Sequence, residues 1–549
     1  PSGEMNIKQV VNSFSDPNRE KKGRFHLEIA DASIRDLEMI IEQQEHRNPA
    51  FGVDYGNMRI HDLDVKLNHF EIDGQVIVAD VEGMSFFEQS GFEIEELTGK
   101  FYLTTGCLGF EDMRMRTPRS DLKIASLALV GASWEDYKYY ISEVEMDVEI
   151  PEGTLSTDDI AYFAPRMQSW KTIFSDLNAT FRGTVDDFES EIRSLRAGDR
   201  TRLTGQGKVR GIPEVKTSRF DLQVASLETT AEEATRLAEN IAGLGFSAGL
   251  QAMIDRLGAM QGTARFNGTF KQFNAQMGLQ TELGAVHGKA QMIPSEANRK
   301  ERNLTASLST QDFRLGRLLD MQPMVGATDV TAELIGVVGP QGLDSRVRAK
   351  VADLEFNEYH YDSLRLMGRL RRNQFNGRVV AHDPNLDVRV NGYLNWAGST
   401  PHYDFTADLN EGDLAQLHFN RRDSISLLKG RLTAKATGRS VDDLNGFVTL
   451  SDVEYRYNDS LVTAHNVVLR GENTADRKYM ELRSDFLDAT FSSKAGYRQI
   501  YDYLRQSAWK YLPLLGRNQA RFAATDRRQA APNEFSMLDV KVRRFNPVA

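Results

Sequence analysis

The sequence predicts a mostly β protein: a long, curved, solenoid-like antiparallel sheet forming an elongated apolar groove, with a few short helices. Three observations carry this. Apolar and polar residues alternate with period two in roughly thirty short runs, the mark of strands with one wet face. Gly, Asn and Asp turns separate the runs, and helical periodicity is confined to a few segments. Two block types recur in the same order along the chain.

The clearest strand runs are Leu63-Val65-Leu67, Leu386-Val388-Val390 and Tyr403-Phe405-Ala407-Leu409. In two others, Val144, Met146, Val148 and Ile150 alternate with Glu145, Asp147 and Glu149, and Phe220, Leu222 and Val224 alternate with Asp221 and Gln223. Ile72-Asp73-Gly74 and Phe375-Asn376-Gly377 read as hairpin turns, and Pro151, Pro213 and Pro384 fall at strand edges or turns. Helices are expected where Ile7, Val10, Val11 and Phe14 share a face, twice within Thr230–Leu257, and over Tyr497–Leu515 up to Pro513. Thr229 or Thr230 can cap the second of these, with Glu232 and Glu233 at the positive end of its dipole.

One repeated block is a strand ending in glycine, then a polar turn and another strand. It occurs at Ala179–Gly183, Ala264–Gly268 and Ala434–Gly438, with a fourth candidate at Ala332–Gly336. The second is a strand running into an acidic cap and a short amphipathic turn, at Ser156–Phe163, Thr229–Leu237, Thr310–Leu319 and Leu409–Leu417. The chain therefore divides into a first groove segment with an N-terminal helix (1–135), the repeated units (136–496), and a helix leading into a further β segment (497–549).

A sheet with one apolar face must cover it. Filled by its own side chains, the sheet becomes a solenoid; left too wide to close, it becomes a trough for a ligand with long apolar parts. Phe86, Phe87, Phe92, Ile94, Leu97, Phe101 and Leu103 are inward candidates in the first region. The lining expected of such a groove is Phe92, Ile94, Phe101, Leu103, Val144, Met146, Val148, Phe220, Leu222, Val224, Phe405 and Leu409.

Composition excludes other classes. Over 549 residues the net charge is −11, with 67 basic and 78 acidic residues mixed along the chain, which argues against nucleic acid. The single Cys107 rules out a disulfide framework. The charge-free stretch Asn240–Ile254 falls short of the about 20 apolar residues a spanning helix needs. The opening PSGEMNIKQVV is not a signal peptide, and the chain reads as a piece of a longer protein. No catalytic motif is present. Gly243-x-Gly245 with Gly249, and Gly205-x-Gly207 with Gly211, miss the dinucleotide spacing, and His61 and His69 carry no ligand signature. The pairs Asp186-Asp187 and Asp442-Asp443 read as turn residues. No enzyme, cofactor or metal is expected.

Several segments together resemble a family. Gly83-Met84-Ser85-Phe86-Phe87-Glu88-Gln89-Ser90-Gly91-Phe92-Glu93-Ile94-Glu95-Glu96-Leu97, followed by Met115–Leu122, is similar to a passage in TamB-type proteins of Bacteroidota. Asp312–Leu319 resembles that family's strand-to-helix step, and Gly430–Gly438 with Asp442–Gly446 its glycine-rich strand pair. Ser484–Thr490 and the helix ending at Tyr511-Leu512-Pro513 fit as well. The resemblance implies an AsmA-like protein related to bridge-like lipid-transfer proteins. It further implies a periplasmic β-groove, anchored to the inner membrane by a segment outside this chain, that moves phospholipids between inner and outer membranes. The alternatives are a scaffold for outer-membrane protein assembly with a barrel-insertase partner, or a structural or adhesin solenoid.

Overall fold

The computed structural model describes residues 25–42, 50–54, 57–497 apart from 134, 213, 244, 246, 247, 399, 475 and 495, and 536–543. Among them run 29 strands and a few short helices, the mostly β antiparallel architecture the alternation predicts. The chain forms two compact units, Pro1–Gln251 with Thr263–Thr269, and Ala252–Gly262 with Phe270–Ala549.

The first unit contains β1 (His26–Glu42), β2 (Asn57–Asp73), β3 (Val76–Glu88), β4 (Glu93–Leu103), β5 (Cys107–Arg116), β6 (Asp121–Val130), β7 (Glu145–Ile150), β8 (Glu152–Ser156), helix α1 (Thr157–Phe163), β9 (Ile173–Gly183), β10 (Asp187–Ala197), β11 (Thr201–Arg210), β12 (Arg219–Thr230) and helix α2 (Ala231–Ala242). Each strand pairs antiparallel with its successor, except that the short β7 and β8 both lie between β6 and β9. Short turns make this meander, as at Gly74-Gln75, where Gly74 has φ 66°.

The division between units falls within helix α3 (Ala248–Asp255) and β13 (Ala259–Thr269). The second unit continues through β14 (Gln272–Thr281), β15 (Gly284–Pro294), β16 (Arg302–Gln311), helix α4 (Leu315–Leu319), β17 (Val325–Gly339), β18 (Gly342–Phe356), β19 (Tyr359–Tyr361), β20 (Leu364–Arg371), β21 (Gln374–Asp383), β22 (Leu386–Asn395), β23 (His402–Asp413), β24 (Ser426–Thr437), β25 (Asn445–Tyr457), β26 (Ser460–Asn473), β27 (Lys478–Ser484), β28 (Leu487–Ser493) and β29 (Ser536–Val542). From β14 onward each strand again pairs with the next, β18 taking both β19 and β20.

Five register shifts coincide with an aspartate in the left-handed region. Asp36, Asp62, Asp112, Asp176 and Asp452 have φ between 50° and 55°. Aspartate tolerates this conformation better than most residues, and a bulge strengthens local twist. Four of the five lie in the first unit, where the sheet closes on a core of Val81, Phe92, Ile94, Leu97, Phe110, Met113, Leu122, Ile124, Ile150, Leu177 and Ala179.

Several sequence expectations need correction. Phe375-Asn376-Gly377 is not a turn but the start of β21; the turn is Arg372-Asn373, with Arg372 at φ 54°. Phe87 is not inward: it pairs with His61 and stacks on its ring at 5.7 Å, whereas Phe86 faces Ile94 and packs on the core. Ala332–Gly336 is not a repeat junction but mid-strand in β17. The three other junction glycines do share a conformation, with φ 116° at Gly183, 132° at Gly268 and 146° at Gly438. Two expected helices, that of Ile7, Val10, Val11 and Phe14 and that of Tyr497–Leu515 beyond Tyr497, lie outside the described residues, as does Pro213.

Candidate functional site

Residues directly opposite in an antiparallel ladder share a face, and so do residues two apart on one strand. Tracing the register therefore shows what each face carries.

In the first unit one row crosses β4 to β12 through Leu103, Leu108, Leu129, Met146, Gly183, Phe188, Val209 and Phe220. The adjacent row on the same face runs through Phe101, Phe110, Leu127, Val148, Phe181, Ser190, Gly207 and Leu222. A third joins Ile150, Ala179, Ile192, Gly205 and Val224. Seven predicted lining residues, Phe101, Leu103, Met146, Val148, Phe220, Leu222 and Val224, thus fall on one face although more than 120 positions separate the first from the last. All seven are half-buried.

Of these seven, Phe101 and Val148 pack against the core of the unit, and Phe92, Ile94 and Val144 lie deeper. They are buried, with 8%, 3% and 3% exposure. Phe92 precedes β4 and is wedged edge-on against Phe163 at 4.8 Å and Tyr162 at 5.6 Å. Phe92 and Ile94 belong to the packed core, where no surface is left for a ligand. Val144 sits just before β7.

The second unit carries longer rows. One passes through Ala275, Ala290, Ala306, Leu334, Val347, Gly368, Gly377, Gly392, Phe405, Ala434, Val448, Leu469, Leu482, Ala489 and Val540, from β14 to β29 without a polar residue. On one side lies Met277, Gly288, Leu308, Ala332, Ala349, Leu366, Val379, Val390, Ala407, Leu432, Leu450 and Val467. On the other side Phe273, Met292, Leu304, Leu370, Phe375, Leu394, Tyr403, Met480, Phe491 and Leu538 share a row with Gly336, Ser345, Ala436, Gly446 and Gly471. Leu409 belongs to a fourth row with Val351, Leu364, Ala381 and Val388. Phe405 and Leu409, the two lining residues predicted here, are thus on one face.

At about 3.4 Å per residue, four rows span roughly 20 Å along the strands, close to the length of an extended acyl chain. Fifteen strands at about 4.8 Å spacing extend the strip roughly 70 Å across the ladder. Most of the face is half-buried, and Met277 and Leu308 are 44% and 40% exposed. Among the described residues, the central row of the strip from Ala275 to Leu482 is less buried than the core of the first unit, apart from Ala434.

Of the aligned Gly368, Gly377 and Gly392, only Gly377 stood out in the sequence, and there as a turn residue. A Cβ at Gly368 or Gly377 would lie 2.5 or 2.6 Å from the Phe375 ring, and one at Gly392 would lie 2.5 Å from Cβ of Phe405. The glycines let two aromatic side chains lie flat on the strip. The signal for them, glycine at alternate positions of three successive strands, is legible once register is known.

Acidic caps tie the helices to neighbouring turns. The Ser156 hydroxyl accepts from the Asp158 N–H at 3.2 Å, and buried Asp159 accepts from the hydroxyls of Thr117 at 2.6 Å and Ser120 at 2.5 Å. On α2 the cap is Thr230, accepting from the Glu233 N–H at 3.3 Å. Buried Glu233 accepts from the N–H groups of Asp199 (2.9 Å) and Arg200 (2.8 Å) and the Thr201 hydroxyl (2.9 Å). Burial pushes the Glu233 carboxyl up, but these donors and the Arg236 guanidinium outweigh it and hold it below the usual range. The Arg439 and Ser440 N–H groups and the Ser440 hydroxyl bring Asp443 down to about 2.

The other residues considered for chemistry have structural settings. Gly243 is the left-handed cap of α2, and Gly205 and Gly207 are inside β11. His61 and His69 contact Asp62 and Asp80 at 2.8 and 3.1 Å. Cys107 is half-buried at the start of β5. Among the described residues no three His, Cys, Asp or Glu side chains group to hold a metal, and no helix is long and apolar enough to cross a membrane.

No protein-family model, curated protein or solved structure matches the chain.

Proposed function

We propose that the chain conducts phospholipids along its apolar sheet face, as a non-enzymatic periplasmic segment of a TamB-like bridge between inner and outer membranes. The observation that carries this reading is the run of apolar rows across fifteen strands of the second unit, with no ionisable side chain but Tyr403 in the three central rows. Each acyl CH₂ kept from water contributes roughly 0.8 kcal/mol. A strip of uniform chemistry offers similar energy at every step, so a lipid slides without a deep trap while its headgroup stays in solvent. Such a face only equilibrates lipid; net direction comes from supply and removal at its ends.

The test is native mass spectrometry of the purified chain with identification of extracted lipid, beside the strip variants Phe405→Asp and Leu469→Asp. Bound phospholipid on the parent, reduced in the variants, is the expected result. A lipid-free mass with no uptake from labelled liposomes overturns the reading.

One observation favours the assembly-scaffold alternative. β1, 17 residues long, pairs only with β2 among the described residues and exposes Ile34 and Ile40 at 43% and 46%. A strand with a free edge can pair a client strand. Crosslinking from β1 to an unfolded outer-membrane barrel protein, with no lipid bound, would put that reading first.

A further inference from the structure

The opposite face of the second unit holds a separate feature. Arg346, Arg348, Lys350, Arg365, Arg378 and Arg389 are all exposed on the outward side of β18, β20, β21 and β22. They are adjacent in register: Arg346 opposes Arg369, Lys350 opposes Arg365, and Arg348 and Arg378 both oppose Met367. None of the six forms an ion pair among the described residues. Asp344 is taken by Arg369 at 2.6 Å and Arg371 at 3.7 Å, and Asp387 by His382 at 2.9 Å. Glu333 stands opposite Arg348 without closing an ion pair.

Like charges directly opposite on neighbouring strands destabilise a sheet. A chain of net charge −11 has acids to spare, yet leaves these cations unneutralised. Two exposed apolar side chains stand among them on the same face, Ile335 at 58% opposite Arg346, and Met367 at 46%. Beside Met367, the edges of Gly368, Gly377 and Gly392 leave a shallow hollow rimmed by Asn376, Arg378, Asn391, Tyr393 and Asp404, whose carboxylate is paired with Lys435 at 3.0 Å.

We infer that this outward face docks on an anionic phospholipid surface. Cations interleaved with exposed apolar side chains are the composition of a membrane-interface contact: the guanidinium groups meet phosphates while Ile335 and Met367 enter the headgroup boundary. The hollow gives a headgroup room beside Arg378. A purely acidic protein partner would leave the two apolar side chains without a role. The contact is independent of lipid carriage, because the strip lies on the other side of the same strands.

The experiment floats the full chain with vesicles of phosphatidylcholine alone and with about 30 mol% phosphatidylglycerol added. Flotation is expected only with the anionic vesicles, and it disappears when salt rises from about 0.1 to about 0.5 M. Each cation removed among Arg346→Gln, Arg348→Gln and Arg378→Gln weakens it about fivefold. Equal flotation with neutral vesicles, or an undiminished triple variant, overturns the inference. So does binding to soluble polyglutamate without flotation, which would assign the patch to an acidic protein. Should the triple variant lose its far-UV β signal, Arg346→Gln alone is read by the same criterion. Lipid carried by the chain, measured by mass on the same variants, stays at the parental level, so failure of docking and failure of carriage are separately visible.

Discussion

The two units use one alternating pattern to different ends. In the first, bulged strands bring large side chains from β3 to β10 against one another, and eleven residues pack into a core. In the second, the ladders from β14 to β16 and from β20 to β22 run without a register shift, and small residues such as Ala275, Ala290, Ala306, Gly368, Gly377 and Gly392 occupy the central row. Bulges and bulk close a sheet; regular pairing and small side chains leave an apolar strip accessible. Alternation alone does not decide between a filled interior and a trough.

The largest expected effect separates core from strip. Ile94→Ala should cost about 2–5 kcal/mol, since a nearly sealed site cannot collapse around the cavity. Phe405→Ala, on the half-buried strip, should cost about 1 kcal/mol. Hydrogen exchange resolved by unit reads both, with Ile94→Ala accelerating exchange in the first unit only. Equal costs would mean that both units are packed alike.

Next in size is Gly377→Val. Its Cβ would approach the Met367 carbonyl oxygen at 2.6 Å as well as the Phe375 ring, so the change should cost about 1–3 kcal/mol and lift Phe375 off the strip. Bound lipid, counted by native mass spectrometry, should fall with it. A variant that loses stability but keeps its lipid would detach the glycine row from carriage.

Glu233→Gln sharpens the comparison at the helices of the first unit. Loss of a charged acceptor serving four donors should cost about 1.5–3 kcal/mol. Because the folded carboxyl sits below its ordinary value of 4.5, its contribution is complete above that pH and fades as pH falls through the lowered value. Denaturation between pH 5 and the acid limit should therefore show a slope in the parent that is flatter in Glu233→Gln. The smallest effect is at Asp443 in the second unit, whose carboxyl should titrate at about 2 by NMR and move toward 3.8 in Ser440→Ala.

Much of this was legible in the sequence because the information is local. The runs around Val148, Leu222 and Phe405 became strands as read, and Thr230 caps α2 with Glu233 in its first turn. What depends on register was not legible. Phe375-Asn376-Gly377 has turn composition, yet Arg372 takes the left-handed conformation and shifts the turn upstream. Phe86 and Phe87 are chemically equal, and only pairing with Ile94 or His61 tells the inward ring from the outward one. Phe92 and Ile94 read as lining, but closure of the first unit buries them. The aspartate bulges also escaped, since Asp36 or Asp112 looks like any polar position of a strand until its φ is known.

The central claim is that lipid travels on one face of the second unit. The most direct measurement places a photo-crosslinking amino acid at Phe405, Val448 and Leu469 on the strip, and at Thr406, Thr449 and Val468 on the opposite face, and exposes each chain to radiolabelled phospholipid. Adducts at all three strip positions and none at their outward neighbours are the predicted result. Equal labelling of both faces, or no labelling of the strip, would contradict the account.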